Sequence, residues 1–184
     1  MNIFKAYFEN PTNIFFASQE KDEKVIFVLR AAFITNFPWV FFGILFLILP
    51  QIYMRFVLIN PKLSIINPPQ LENTIIIIWY LVVIGFILQS YISWYFNVYI
   101  VTNKRLLDVD FIPLFYKRVS ETNYDKVEDS SYEMNNFFQT VFNYGTVFVQ
   151  TAAENREFEF KNVPNPAKVQ DIISDYANKA SEDK

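Results

Sequence analysis

The stretch "SWYFNVYIVTNKRLLDVDF", residues 93–111, changes its hydrophobic pattern partway along. Up to Phe96 the chain is apolar on every side. From Asn97 to Thr102 it becomes a short run of β-branched and aromatic residues. After that run the polarity alternates. Arg105, Leu107, Val109 and Phe111 fall on one face of a strand, and Lys104, Leu106, Asp108 and Asp110 on the other. A continuous apolar helix ends here and a sheet begins.

Upstream, residues 73–103 carry no charge, and neither do residues 31–54, bounded by Arg30 and Arg55. A helix needs roughly 20 apolar residues to cross a bilayer core. Both runs are long enough, predicting a membrane α-helical hairpin with spans at about 31–54 and 74–96 and an external loop at 55–73. The alternative, two buried helices of a soluble protein, needs more chain than 184 residues leave to wrap them. Trp39, Tyr53, Trp79, Trp94 and Tyr95 stand toward the ends of the runs, where amphipathic rings favour the headgroup zone. Gly43 and Gly85 are candidates for close approach of the two helices. Pro38 and Pro50 kink or end the first helix. The first run begins too late for a signal peptide and lacks a small-residue cleavage site. No polar or ionisable residue lies deep in the runs except Asn36 and Gln89, which disfavours a transporter. Lys21, Lys24 and Arg30 precede the first run, and Lys104, Arg105, Lys117 and Arg118 follow the second. The loop offers Arg55 and Lys62. That bias predicts a multi-pass protein of the cell membrane with both termini cytoplasmic.

Downstream, period-two segments continue as "FYKRVSETNY", "KVEDSSYE", "GTVFVQTA" and "REFEFKNV". In the last, Phe158 and Phe160 point one way and Glu157, Glu159 and Lys161 the other. "NNFFQTVFNYG" predicts a short helix or turn capped by Gly145. A closing helix starts at Asn165 as N-cap and Pro166 as first residue. Its apolar stripe is Val169, Ile172, Ile173, Tyr176 and Ala180. The expected division is residues 1–23 as an N-terminal polar and aromatic segment, 24–96 as the helical hairpin and 97–184 as a cytoplasmic domain. The aromatic N-terminal segment rests on the membrane interface or covers the sheets.

Composition removes several function classes. The chain has no cysteine and no histidine, which excludes thiolate chemistry, disulfides, Cys/His zinc sites and nucleophile–histidine pairs. A net charge of −3 disfavours nucleic acid. The three glycines stand at 43, 85 and 145 and form no phosphate loop, so no cofactor is expected. Asp108/Asp110 and Glu157/Glu159 read as solvated strand faces rather than a catalytic pair, and Glu128/Asp129 is a third acidic pair without a pocket. No enzyme activity is expected.

The segments "EKVIFVLR", "YIVTNKRLL", "SETNYDKVEDSSYE", "FFQTVFNYGTVFVQTA" and "FEFKNVPNPAKVQDII" together resemble the bacterial pleckstrin-homology (PH) domain membrane proteins. The resemblance implies an α+β PH-like domain: a curled antiparallel β-sandwich, or partly open barrel, capped by the C-terminal helix. It implies no catalysis.

Two candidate sites follow. Resemblance to lipid-binding PH domains makes Lys104 and Arg105 a possible grip on phosphate. Against that, Asn103 accepts positive φ and suits a plain hairpin turn. A strand leaving the membrane at ~3.3 Å per residue also carries the turn about 20 Å away, beyond a screening length of about 8 Å. Asn103, Lys104 and Arg105 are therefore a candidate partner-binding tip. The returning strand ends in "DFIPLFYKR". Phe111, Ile112, Leu114 and Phe115 there form an apolar tip with Lys117 and Arg118 behind it, a candidate membrane contact. The competing reading packs that tip on the domain itself and pairs Lys117 with Asp108. The expected function is a membrane-anchored binding or scaffolding module that engages a protein partner or assembles with itself. Recognition of anionic lipid headgroups is the alternative, and a membrane enzyme or transporter component comes third.

Overall fold

The computed structural model describes residues 5–11, 16, 18–59, 69–112, 116–152 and 157–182. The chain divides into two compact units. Residues 1–35 join residues 93–184 in one, and residues 36–92 form the other.

The first unit is built from two antiparallel sheets that are not closed into a barrel. One sheet runs in the order β1 (Tyr7–Glu9), β2 (Val25–Leu29), β3 (Val98–Thr102), β4 (Arg105–Ile112), β5 (Tyr116–Asn123). The other runs β6 (Val127–Glu133), β7 (Tyr144–Thr151), β8 (Glu157–Pro164). The N-terminal residues thus differ from the expected division. β2 pairs with β3 in antiparallel register, Val28 opposite Ile100 and Leu29 opposite Tyr99. "VIFVL" is a strand because both of its faces are covered, so it shows no alternation to mark it off from the helix that follows. Phe27 and Leu29 face the inter-sheet core with Tyr99, Val101 and Leu106. Val25 and Val28 face the opposite side with Ile100 and Leu107, where Phe8 and Phe16 pack on them.

The second sheet supplies Val147, Val149, Phe158, Phe160 and Val163 to the same core. Phe158 and Phe160 are buried while Lys161 is exposed, as their alternation predicts. α4 (Pro166–Glu182) closes the core with Val169 and Ile173, both fully buried, with Ile172, Tyr176 and Ala180 beside them. Lys168 bonds Glu9 on β1 at 2.8 Å, and Gln170 donates to Ser130 on β6.

Two turns form differently from expectation. Asn143, not Gly145, takes the left-handed conformation after α3 (Phe137–Val141), at φ 49°. Gly145 lies inside β7 and is required for space instead. A Cβ there would stand 2.4 Å from the Glu133 carbonyl oxygen on the neighbouring strand. Asn165 is also left-handed, at φ 51°, so it opens α4 in a different geometry from a standard N-cap. Its carbonyl accepts from the Val169 N–H, while its side chain accepts from Asn143 Nδ2 at 2.6 Å.

In the second unit α1 (Phe37–Ile59) and α2 (Pro69–Phe96) carry the two apolar runs. Phe33–Ile59 and Leu71–Phe96 are long and apolar enough to cross a membrane. Gly43 lies against Ile87, where an added Cβ would meet it at 3.0 Å, but Gly85 has open space around it and is not a contact point. Trp79 also completes the first helix. Pro50 has no N–H to give the Phe46 carbonyl four residues earlier. The Trp79 indole N–H donates to that carbonyl at 2.9 Å.

Candidate functional site

The β3–β4 turn shows how the basic pair is held. Asn103 is not in the left-handed region; the side chain of Thr102 shapes the turn. Thr102 Oγ1 accepts from the N–H groups of Lys104 (3.1 Å) and Arg105 (3.0 Å). Asn103 is tied to the N-terminal segment, its N–H to the Lys24 carbonyl and its Oδ1 to the Lys24 N–H at 2.7 Å.

Arg105 is committed inside the unit. Its Nε and Nη2 bond the two oxygens of Glu23 at 3.0 and 3.1 Å, Nη1 bonds Glu121 at 2.8 Å, and Nη2 also reaches the Ser18 carbonyl. Only 13% of its side chain is exposed, and none of Glu23's. Burial pushes the Glu23 carboxyl up. Hydrogen bonds from Arg105, the Glu20 N–H and Thr102 outweigh that and hold it below the usual carboxylate value. Lys104 pairs with Glu20 at 2.7 Å on the surface. An open groove of about 600 Å³ lies beside the turn, where Lys104, Glu121, Asp125, Tyr176 and Lys179 contribute to its wall. It is lined by charges of both signs, which suits a zwitterionic or peptide-like surface better than a polyanion.

The other end of the sandwich carries a second cavity, of about 390 Å³, lined by Ala31, Trp94, Asn97, Asp110, Ile112 and Lys161 among others. Asp108 and Asp110 share the core-facing side of β4 with Leu106 at this end. Asp108 is therefore half-buried rather than on a solvated face, as expected from its alternation alone. Its Oδ1 is buried without a hydrogen-bond partner. Burial raises its carboxyl to about 6, Asp110 adds to the rise, and Arg118 and Lys161 oppose it. Asp108 stands opposite Ser120, and Lys117 opposite Phe111, so strand register does not place Lys117 across from Asp108. Replacement of Asp108 by Asn is expected to stabilise the protein near neutral pH by about 1 kcal/mol, after allowing for partial exposure. The raised native value means the folded state takes up the proton first. Wild-type stability therefore rises as pH falls from about 6 toward 4, and the advantage of the variant shrinks over that window. Urea titrations across that range measure it; a constant advantage at every pH would contradict it.

The apolar tip begins at this same end. The Phe111 N–H donates to Asn97 Oδ1 at 2.5 Å, and the Phe111 and Phe96 rings lie 5.1 Å apart. Ile112, Lys117 and Arg118 are exposed. Leu114 and Phe115 lie outside the described residues.

One surface was not anticipated as a site. Phe137, Phe138, Val141 and Phe142 around α3 are 75%, 63%, 57% and 53% exposed. The signal was present in "NNFFQTVF", but a short apolar run reads equally well as packing.

The model of the bacterial PH domain family matches residues 33–177, and the chain belongs to that family. Among solved structures, it is similar to the crystal structure of a DUF1696 family protein with a pleckstrin-homology domain from Shewanella loihica. The identity is 13% over 44% of this chain and 70% of that one, with a TM-score of 0.36. No curated protein matches it.

Proposed function

We propose that this protein is a membrane-anchored binding module. α1 and α2 cross the cell membrane, both termini face the cytoplasm, and the PH-like unit is held at the cytoplasmic surface to engage a protein partner or a second copy. The unit assigned to that surface is residues 5–35 with 93–182, and the spans are those of the two uncharged runs.

The observation that carries this reading is the open edge at β5. Among the described residues that strand pairs with β4 alone, and β6 starts the other sheet. Eight residues of edge backbone are left for an extended segment to pair with. Lys117, Arg118, Val119, Glu121 and Asn123 are exposed along it. Arg105, by contrast, is already taken by Glu23 and Glu121 and Asn103 by Lys24, which leaves Lys104, exposed in its surface pair with Glu20, as the accessible part of the turn. A photo-crosslinking residue at Val119 of the full chain in cells is expected to give one discrete protein adduct. The same probe at Gln150, exposed on β7 and paired on both sides, is expected to give none. Equal yields at the two positions, or no protein adduct at Val119, would refute the edge-binding role.

Recognition of anionic headgroups is the second reading. It is favoured by Lys117 and Arg118, exposed on the strand that follows the Phe111–Ile112 tip. On that reading the probe at Arg118 yields phospholipid adducts and Val119 yields no protein. The module reading needs no catalytic residue.

A further inference from the structure

We propose that the cap formed by Phe137, Phe138, Val141 and Phe142 inserts into the interfacial layer of the bilayer crossed by α1 and α2. This rests on the membrane-anchor reading above.

The cap is built, not loose. Asn136 accepts from the Gln139 N–H at 2.9 Å and opens α3, and Gln139 Oε1 accepts from the Asn135 N–H. The Phe142 N–H closes on the Phe138 carbonyl at 2.9 Å, and left-handed Asn143 ends the turn. The helix is thereby fixed with its large apolar side chains outward. Phe137 and Phe138 pack edge to face, with centroids 6.0 Å apart, and both remain more than half exposed.

Its position selects the occupant. Gln139 Nε2 donates to Asn162 Oδ1 at 3.3 Å, and the carbonyl of the same Asn162 accepts from the Ala32 N–H at 2.7 Å. Ala32 immediately precedes the 3-10 turn Phe33–Asn36 that leads into α1. The Trp94 indole, where the chain returns, donates to the Ala31 carbonyl at 2.8 Å. Asn162 is left-handed at φ 53°, a kink that lets its side chain and its carbonyl serve both neighbours. The cap therefore sits on the end of this unit where the chain leaves for, and returns from, its two apolar helices. Residues 134–152 carry no charge, so nothing in that segment resists the apolar side of a headgroup layer. Phenylalanines flanked by Asn, Gln and Thr match that layer, with rings inward and amides at the wet boundary.

The absence of cysteine makes the test direct. Single variants Phe138→Cys, Leu45→Cys and Asp125→Cys of the full chain are spin-labelled and reconstituted in phosphatidylcholine vesicles. Leu45 lies in α1, and Asp125 in the 3-10 turn after β5. Collision with lipid-soluble oxygen is compared with collision with a water-soluble nickel chelate. The expected result is an oxygen preference at Leu45 and at Phe138, each several-fold above Asp125. A lipid-exposed Leu45 with a water-exposed Phe138 overturns the insertion while leaving the anchor intact. A water-exposed Leu45 overturns the anchor and the insertion with it. Spin–spin broadening at Phe138 that vanishes on dilution with unlabelled protein also overturns it, because the cap is then covered by a second copy.

Discussion

A fragment beginning at Ser93 is expected to be unfolded, although it contains six of the eight strands among the described residues and the closing helix. It lacks β2, and with it Phe27 and Leu29, both fully buried in the core between the sheets. Emptying one fully buried Phe or Leu position costs about 2–5 kcal/mol, and the net stability of a domain is about 5–15 kcal/mol. Losing both, with Val25 and Val28 from the opposite face, exceeds what the remaining unit can hold. Restoring residues 5–35 through a flexible Gly/Ser linker in place of residues 36–92 is expected to recover a cooperative fold, because those two pieces form one compact unit. Amide proton dispersion and a urea melt distinguish the two proteins. A sigmoidal melt from the shorter fragment would contradict this account of the core.

The second large effect is expected at Glu23. Glu23→Ala should cost about 3 kcal/mol, the low end for breaking a buried pair, since it takes the bidentate partner from a largely buried guanidinium. Arg105 would keep Glu121 and the Ser18 carbonyl but lose the carboxylate that takes both its Nε and Nη2. Thr102 Oγ1, 2.9 Å from Glu23 Oε1, would lose a partner too. The double variant Glu23→Leu/Arg105→Met should recover most of that loss, because no unpaired charge remains buried. The pH dependence is opposite in sign to that of Asp108. Glu23 is held below its ordinary value in the folded state, so its contribution is complete above about 4.3 and is lost as pH falls through the lower folded value. Urea melts of wild type and Glu23→Ala at several pH values measure this. A gap that stays constant below pH ~4 would rule out the ion pair as its source.

How legible these features were depends on whether each segment has one buried face or two. β8 and α4 each bury a single face, so Phe158 and Phe160 at period two, and Val169 and Ile173 at helical spacing, marked the core directly. β2 buries both faces, and its five apolar residues run on toward the apolar helix a few residues later. Nothing local separates a central strand from the start of a span in that situation. The Glu23–Arg105 pair was illegible for a different reason. The partners are 82 residues apart, and only the antiparallel pairing of β2 with β3 brings them together. Asp108 was misread because alternation says which residues share a face but not which face is inward. Leu106 and Leu107 are both fully or nearly fully buried, so β4 offers two apolar sides at that point. The left-handed asparagines at 143, 162 and 165 were equally hidden, since asparagine is common in turns of many kinds.

The bond from Trp79 to the Phe46 carbonyl makes two distant positions depend on each other. Proline at 50 and tryptophan at 79 solve one problem jointly: the ring removes a backbone donor, and the indole returns one. Alanine at 50 would supply the carbonyl with its ordinary partner and leave the indole N–H in competition for it. Phenylalanine at 79 would leave the carbonyl open while the proline remained. Tolerance at either site is therefore conditional on the other, and sequence drift at these two positions is expected to be epistatic.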